Sequence, residues 1–202
     1  MNESAGQLFR AERQAVPLAA SEATDLQLIF AALQFAARKH VAQRRKGGRD
    51  VPYINHPIDV ATLLATVGGV TDAELLAAAL LHDTVEDTDT TPEEIEREFG
   101  PAIATLVAEV TDDPALKSAE RKARQEDEAP FKSARAKLIR LADKCCNVHD
   151  ITFAPPPEWS AERRRAYFAW AKRVVTALGK VHPVLEAEFV RRLECAMREL
   201  SS

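Results

Sequence analysis

Glycine is scarce in this chain, at 7 of 202 residues, and there are only three cysteines, two tyrosines and two tryptophans. Few glycines leave few places for a left-handed backbone, while frequent alanine favours helix. Cys145, Cys146 and Cys195 are odd in number, two of them are adjacent, and no C-x-x-C occurs. That argues against a disulfide framework or a thiolate zinc site, so a reducing compartment, the cytoplasm, is the expected location. Long apolar runs are missing too. The longest is Leu75–Leu81, far short of the ~20 residues that cross a bilayer, and the first residues lack the apolar core of a signal peptide. No membrane association is expected. Neither G-x-G-x-x-G nor G-x-x-x-x-G-K-[ST] is present, so two common nucleotide-binding folds lose their signature. A basic excess is absent: 27 Lys and Arg against 31 Asp and Glu give a net charge of −4, which speaks against a general nucleic-acid binder. No stretch alternates apolar and polar residues with strand-like enrichment in β-branched types.

What is present is helical pattern. Leu26, Ile29, Phe30, Leu33 and Ala37 recur at spacings of three and four, predicting a helix from about Leu26 to Arg45 that stops at Lys46-Gly47-Gly48. Pro57 is placed at the first position of the next helix. Thr71-Asp-Ala-Glu74 and Thr91-Pro-Glu-Glu94 have capping-box form and predict helices over about 72–82 and 92–98. Gly100-Pro101 opens another, residues 112–132 read as a polar loop with a short helix, and further helices are expected over 133–150, from Trp159-Ser160 to Gly179, and from Pro183. The expectation is one all-α domain of about eight to ten helices over residues 24–200. An N-terminal extension of residues 1–23 precedes it, its helical composition interrupted by Pro17.

The chemistry-bearing residues are His56, His82-Asp83, Glu86-Asp87 and Asp143. HDTVED directly follows an intensely apolar helix, whose C-terminus carries negative dipole charge, so extra carboxylates there call for a compensating cation. Two imidazoles and two carboxylates suit manganese, iron, cobalt or zinc better than calcium or magnesium. Glu86 and Asp87 are adjacent, and mutual repulsion is expected to raise one apparent pKa. Asp143, Asn147 and Asp150 share one helical face; taken alone, Asp143 reads as part of a solvated surface. Arg44-Arg45-Lys46, as cations ending a helix, could equally serve its dipole.

AARKH, YINHPIDVA, LLHDTVEDT, TPEEIEREFG and KLIRLADKCCN together resemble the hydrolase domain of RelA/SpoT-type guanosine tetraphosphate enzymes, within the HD superfamily. The likeness is greatest to the stand-alone small alarmone hydrolases that include the metazoan SpoT homologue, and it runs from about residue 26 to about 195. It implies metal-dependent removal of the 3′-pyrophosphate from guanosine tetra- or pentaphosphate, giving GDP or GTP and pyrophosphate. It implies His56, His82, Asp83 and Asp143 as ligands of Mn²⁺ and Glu86 with Asp87 as the catalytic pair. It also implies Arg45, Lys46, Tyr53, Asn147 and Arg163 as substrate-binding residues. The expected partner is a small-molecule nucleotide, with homo-oligomerisation left open. Two departures touch substrate choice: Ser118 stands where many relatives carry Lys, and Cys145-Cys146 replaces a bulkier pair. Two alternatives therefore accompany the reading: removal of the 2′-phosphate of NADPH at the same site, and a catalytically silent nucleotide-binding module.

Overall fold

The computed structural model describes residues 24–47 and 50–201. The expected extension over 1–23 lies outside the described residues. Among them the chain forms ten α-helices and one 3-10 turn, with no strand beyond an isolated antiparallel bridge between Arg44 and Pro52. The helices are α1 (Asp25–Lys39), α2 (Asn55–Thr66), α3 (Ala73–Leu81), α4 (Thr84–Asp87), α5 (Pro92–Phe99), α6 (Pro101–Val110), α7 (Ser118–Glu128), α8 (Ala134–Phe153), α9 (Ala161–Leu178) and α10 (Pro183–Glu199), with the 3-10 turn Ala129–Phe131 before α8. The all-α expectation holds.

Helix α3 is the centre of the architecture. Every residue in it except Glu74 is buried, as its nearly unbroken apolar sequence requires, and α1, α2 and α6 pack around it. Helix α8 forms a second axis against α2, α6, α9 and α10. It buries Arg140, Asp143 and Lys144 among its apolar residues. Buried charges persist only when paired, and here Arg140 meets Asp112 at 2.7 Å and Lys144 meets Asp143 at 2.9 Å. Gly100 ends α5 and begins α6 at φ 84°, a conformation that suits glycine, and Pro101 takes the first helical position. This sharp joint lets Phe99 return to pack edge-on against Phe35 of α1, 5.3 Å between centroids.

Several boundaries differ from the sequence expectation. Helix α1 ends at Lys39 rather than Arg45. Beyond it the backbone pairs across a loop instead of along a helix: Arg45 N–H donates to Val51 O (2.9 Å) and Tyr53 N–H to Gln43 O (3.1 Å). The cations in the last turn are therefore Arg38 and Lys39, and the dipole explanation for Arg44, Arg45 and Lys46 falls. Pro57 stands at the third residue of α2, not the first. Helix α3 is capped by Asp72, whose Oδ1 accepts from Leu75 N–H (3.1 Å) and from Arg135 (2.7 Å), rather than by Thr71. A carboxylate supplies both the cap and an ion pair, which a hydroxyl cannot. Thr91 caps α5 as expected, but Glu94 leaves the capping box to bind Lys39 of α1 at 3.0 Å. Thr24 and Gln27 form a reciprocal capping box on α1 that the sequence pattern did not single out.

Candidate metal-dependent active site

Three helices deliver the central cluster. His56 comes from the first turn of α2, His82 caps the C-terminus of α3, and Asp143 lies in the middle of α8. All three are buried, and one ligand atom from each lies within 4.8 Å of the others. His56 Nε2 is 3.1 Å from Asp143 Oδ1, and His82 Nε2 is 4.0 Å from the same oxygen. Asp83 stands at the edge of this trio. Its Oδ2 is 3.0 Å from His82 Nε2, 3.8 Å from His56 Nε2, and accepts the Tyr53 hydroxyl at 2.6 Å.

The donor set fits a divalent ion. His82 Nδ1–H donates to the Ala79 carbonyl at 2.8 Å, which turns Nε2 towards the cluster. That Nε2 is buried and makes no hydrogen bond, despite its closeness to Asp83. Burial disfavours charge on this ring, yet Asp83 and Asp143 outweigh it and push its pKa up to about 9. Burial also works against ionised Asp83 and Asp143, but His82 and His56 hold Asp83, and Lys144 with the imidazoles holds Asp143, well below the ordinary carboxylate range. The cluster thus favours positive charge at its centre, where a metal ion would supply it. Asn147 Nδ2 donates to Asp143 Oδ1 (2.5 Å) and steadies its orientation.

The cluster lies beside a cavity of about 500 Å³, lined by Arg45, Lys46, Tyr53, His56, Asp83, Glu86, Asp87 and Asn147 among others. Four of the five expected substrate-binding residues are therefore brought together with both carboxylates of the expected catalytic pair. Arg45 lies over the Tyr53 ring (5.4 Å to the centroid), pairs with Asp150 and reaches Asn147 Oδ1 at 3.4 Å. Tyr53 thus does more than pack. Arg163 does not line the cavity; its guanidinium stacks on Trp159, which does, at 4.5 Å. Neither Ser118 nor Lys117 lines it, whereas Lys122, one turn after Ser118, stands over Trp170 at 5.2 Å and Tyr167 at 5.7 Å.

Glu86 and Asp87 point to different partners. Asp87 Oδ2 accepts from Gln43 Nε2 at 2.9 Å. Glu86 Oε2 accepts the backbone N–H of Asp112 (3.3 Å), and its Oε1 meets Arg121 Nη1 (3.4 Å). Burial, then Asp112 and Asp83, push the Glu86 pKa up to about 7, with Asp87 contributing least. The expected rise is present, but its main cause is burial and not the neighbouring carboxylate. Gln43, Asp112 and Arg121 escaped the sequence reading as site residues, because each acts from a loop or a distant helix with no local motif; Asp150 was placed on the face of Asp143 and Asn147 but given no role, and it is the partner of Arg45. Trp159 and Tyr167 also line the cavity. Cys145 and Cys146 are buried and burial pushes both thiols up, in keeping with a packing role.

The HD domain family model matches residues 32–173. This chain belongs to the HD domain family. Among curated proteins it is 50% identical over 165 residues to guanosine-3′,5′-bis(diphosphate) 3′-pyrophosphohydrolase MESH1 of Xenopus tropicalis, covering 82% of this chain and 92% of the relative. It is 51% identical over 166 residues to the Homo sapiens MESH1, covering 82% and 91%. A solved structure described as a metazoan ortholog of SpoT that hydrolyzes ppGpp superposes with a TM-score of 0.81 at 46% identity, over 86% of this chain and 96% of that one. A second, lmo0812 from Listeria monocytogenes, gives 0.59 at 28% identity, over 72% and 97%. Among the described residues, no helix of this HD-domain protein is long and apolar enough to cross a membrane.

Proposed function

We propose that this chain hydrolyses the 3′-pyrophosphate of guanosine tetra- or pentaphosphate to GDP or GTP and pyrophosphate, with Mn²⁺ held by His56, His82, Asp83 and Asp143. The observation that carries the reading is the joint one. A buried His-His-Asp trio opens on a cavity that also presents a carboxylate pair and an Arg-Lys loop, in a chain matching MESH1 hydrolases over most of their length.

A divalent ion at such a site offsets phosphate charge and acidifies water. The chain's own residues do the rest. Arg45, held flat between Tyr53 and Asp150, presents a planar donor fork beside Lys46, suited to stacking on a base and to phosphate. Asn147 bridges Asp143 and Arg45, so it stands between the reacting end and the nucleoside end. Glu86, with a pKa near neutrality, is suited to take or return a proton. Asp87 is fixed by Gln43 on the same wall. In the net reaction the water oxygen joins phosphorus, the bond from phosphorus to the ribose 3′-oxygen breaks, and that oxygen leaves carrying a proton. Retention of every ligand and of both carboxylates disfavours a silent binding module. The three free cysteines support a cytoplasmic site of action.

The test is pyrophosphate release from guanosine tetraphosphate by the purified chain with Mn²⁺, beside phosphate release from NADPH. Rapid, chelator-sensitive pyrophosphate release is expected. Faster turnover of NADPH, or tight nucleotide binding without product, would overturn the assignment.

A further inference from the structure

One buried arginine connects the helix that carries Asp143 to the wall that holds Glu86. We propose that Arg140, acting through Asp112, is a positioning residue for the Glu86 carboxylate. The inference rests on the proposed hydrolase reading, in which Glu86 touches the reacting groups.

Arg140 sits on α8, three residues before Asp143, and is 6% exposed. Its Nη2 donates to Asp112 Oδ1 at 2.7 Å. The other Asp112 oxygen accepts from Gln125 of α7. Asp112 belongs to the non-helical linker between α6 and α7. Its backbone N–H donates to Glu86 Oε2, and Arg121 of α7 meets Oε1. Both oxygens of Glu86 are thus held from a linker and a helix that Asp112 ties together, and Asp112 is anchored to α8 by Arg140. The linker borders a second hollow of about 570 Å³, lined by Asp112, Arg121, Gln125 and Arg140 among others and by none of the four metal-set residues. Without the Arg140–Asp112 pair the linker has room to shift, taking the donors of Glu86 with it. One helix therefore sets both a metal-site carboxylate and, through two hydrogen bonds, the orientation of the catalytic one. The charged groups facing Glu86 are Asp112 from the linker, Arg121 from α7, Asp83 from the α3–α4 junction and Asp87 from α4.

The test uses the manganese-loaded full-length chain with guanosine tetraphosphate as substrate across pH. Arg140→Met is expected to lower kcat about tenfold, with KM and bound manganese nearly unchanged, and Arg140→Lys to restore most of it. Asp112→Asn keeps the backbone donor but removes a charge facing Glu86, so the midpoint of the rising limb of kcat should move to lower pH. Activity of Arg140→Met that falls only in step with its folded fraction would overturn the proposal, as would no change in kcat. If Arg140→Met does not fold, Asp112→Asn decides, and an unmoved midpoint counts against the proposal. A wild-type chain that releases no pyrophosphate removes the hydrolase reading and this inference together; an active wild type with unmoved variants removes this inference alone.

Discussion

The two ends of the cavity proposed to take the nucleotide are built differently. At the metal end His56, His82 and Asp143 are buried on three packed helices, each oriented by a further contact or by its neighbours in the cluster. At the mouth Arg45, Lys46 and Tyr53 ride on the 40–54 segment, and Pro156 and Trp159 on the stretch between α8 and α9. Packed helices fix geometry, while loops tolerate change. On the proposed function, the reaction would be tied to the scaffold and the choice of nucleotide to the loop segments.

The largest expected effect breaks the metal end. Asp143→Ala should strip bound manganese, read by elemental analysis, and bring turnover below about 1% of wild type. Asp83→Ala, at the edge of the trio, should also lower both; full metal retention there would place Asp83 outside the ligand set. Next, Glu86→Gln should spare metal content and slow kcat by about 10²-fold. The folded Glu86 pKa is raised to about 7, so its ionised, base-competent form appears as pH rises through 7, and wild-type kcat should climb there. The same shift makes protonated Glu86 the form the metal-free fold prefers. Its contribution to stability is present below the unfolded value and lost as pH rises through 7, so metal-free Glu86→Gln should melt higher than wild type at pH 8. At the rim, Arg45→Lys should raise KM roughly tenfold with a smaller change in kcat, because the planar fork is lost and the charge is kept. An equal fall in kcat would show that the mouth is coupled to the reaction. The smallest effect lies away from both ends. Arg191 and Arg192 hold Glu188 down to about 2, a stabilisation present above the unfolded carboxylate value and lost as pH falls through 2. Glu188→Gln should lower Tm by a few degrees at pH 7 and much less at pH 2, where about half of the carboxylate is protonated in the folded chain.

The same division governs what could be read from the sequence. The helices announced themselves through apolar spacing and through Gly100-Pro101, and HDTVED stood out because two acids and a His-Asp pair crowd the end of an apolar helix. Asp143 in isolation looked like a surface residue, since an acid in an amphipathic helix reveals nothing of Lys144, His56 and Asn147 closing around it. The end of α1 was missed because Gln43 and Arg45, just beyond it, bond across a loop to positions 53 and 51, and no 3.6-residue periodicity encodes that. Asp112 and Arg121 were invisible for the same reason: their partner, Glu86, is 26 and 35 residues away.

The burial of α3 on every side has a consequence for how such a protein can diversify. A histidine at the tip of an enclosed rod cannot swing aside without dislodging the surrounding helices. If the proposed function holds, new nucleotide preferences would be most cheaply reached by exchanging the 40–54 and 154–160 segments, leaving the buried His-His-Asp trio in place. A graft of those two stretches between homologues should carry selectivity with it and leave the chemistry where it was.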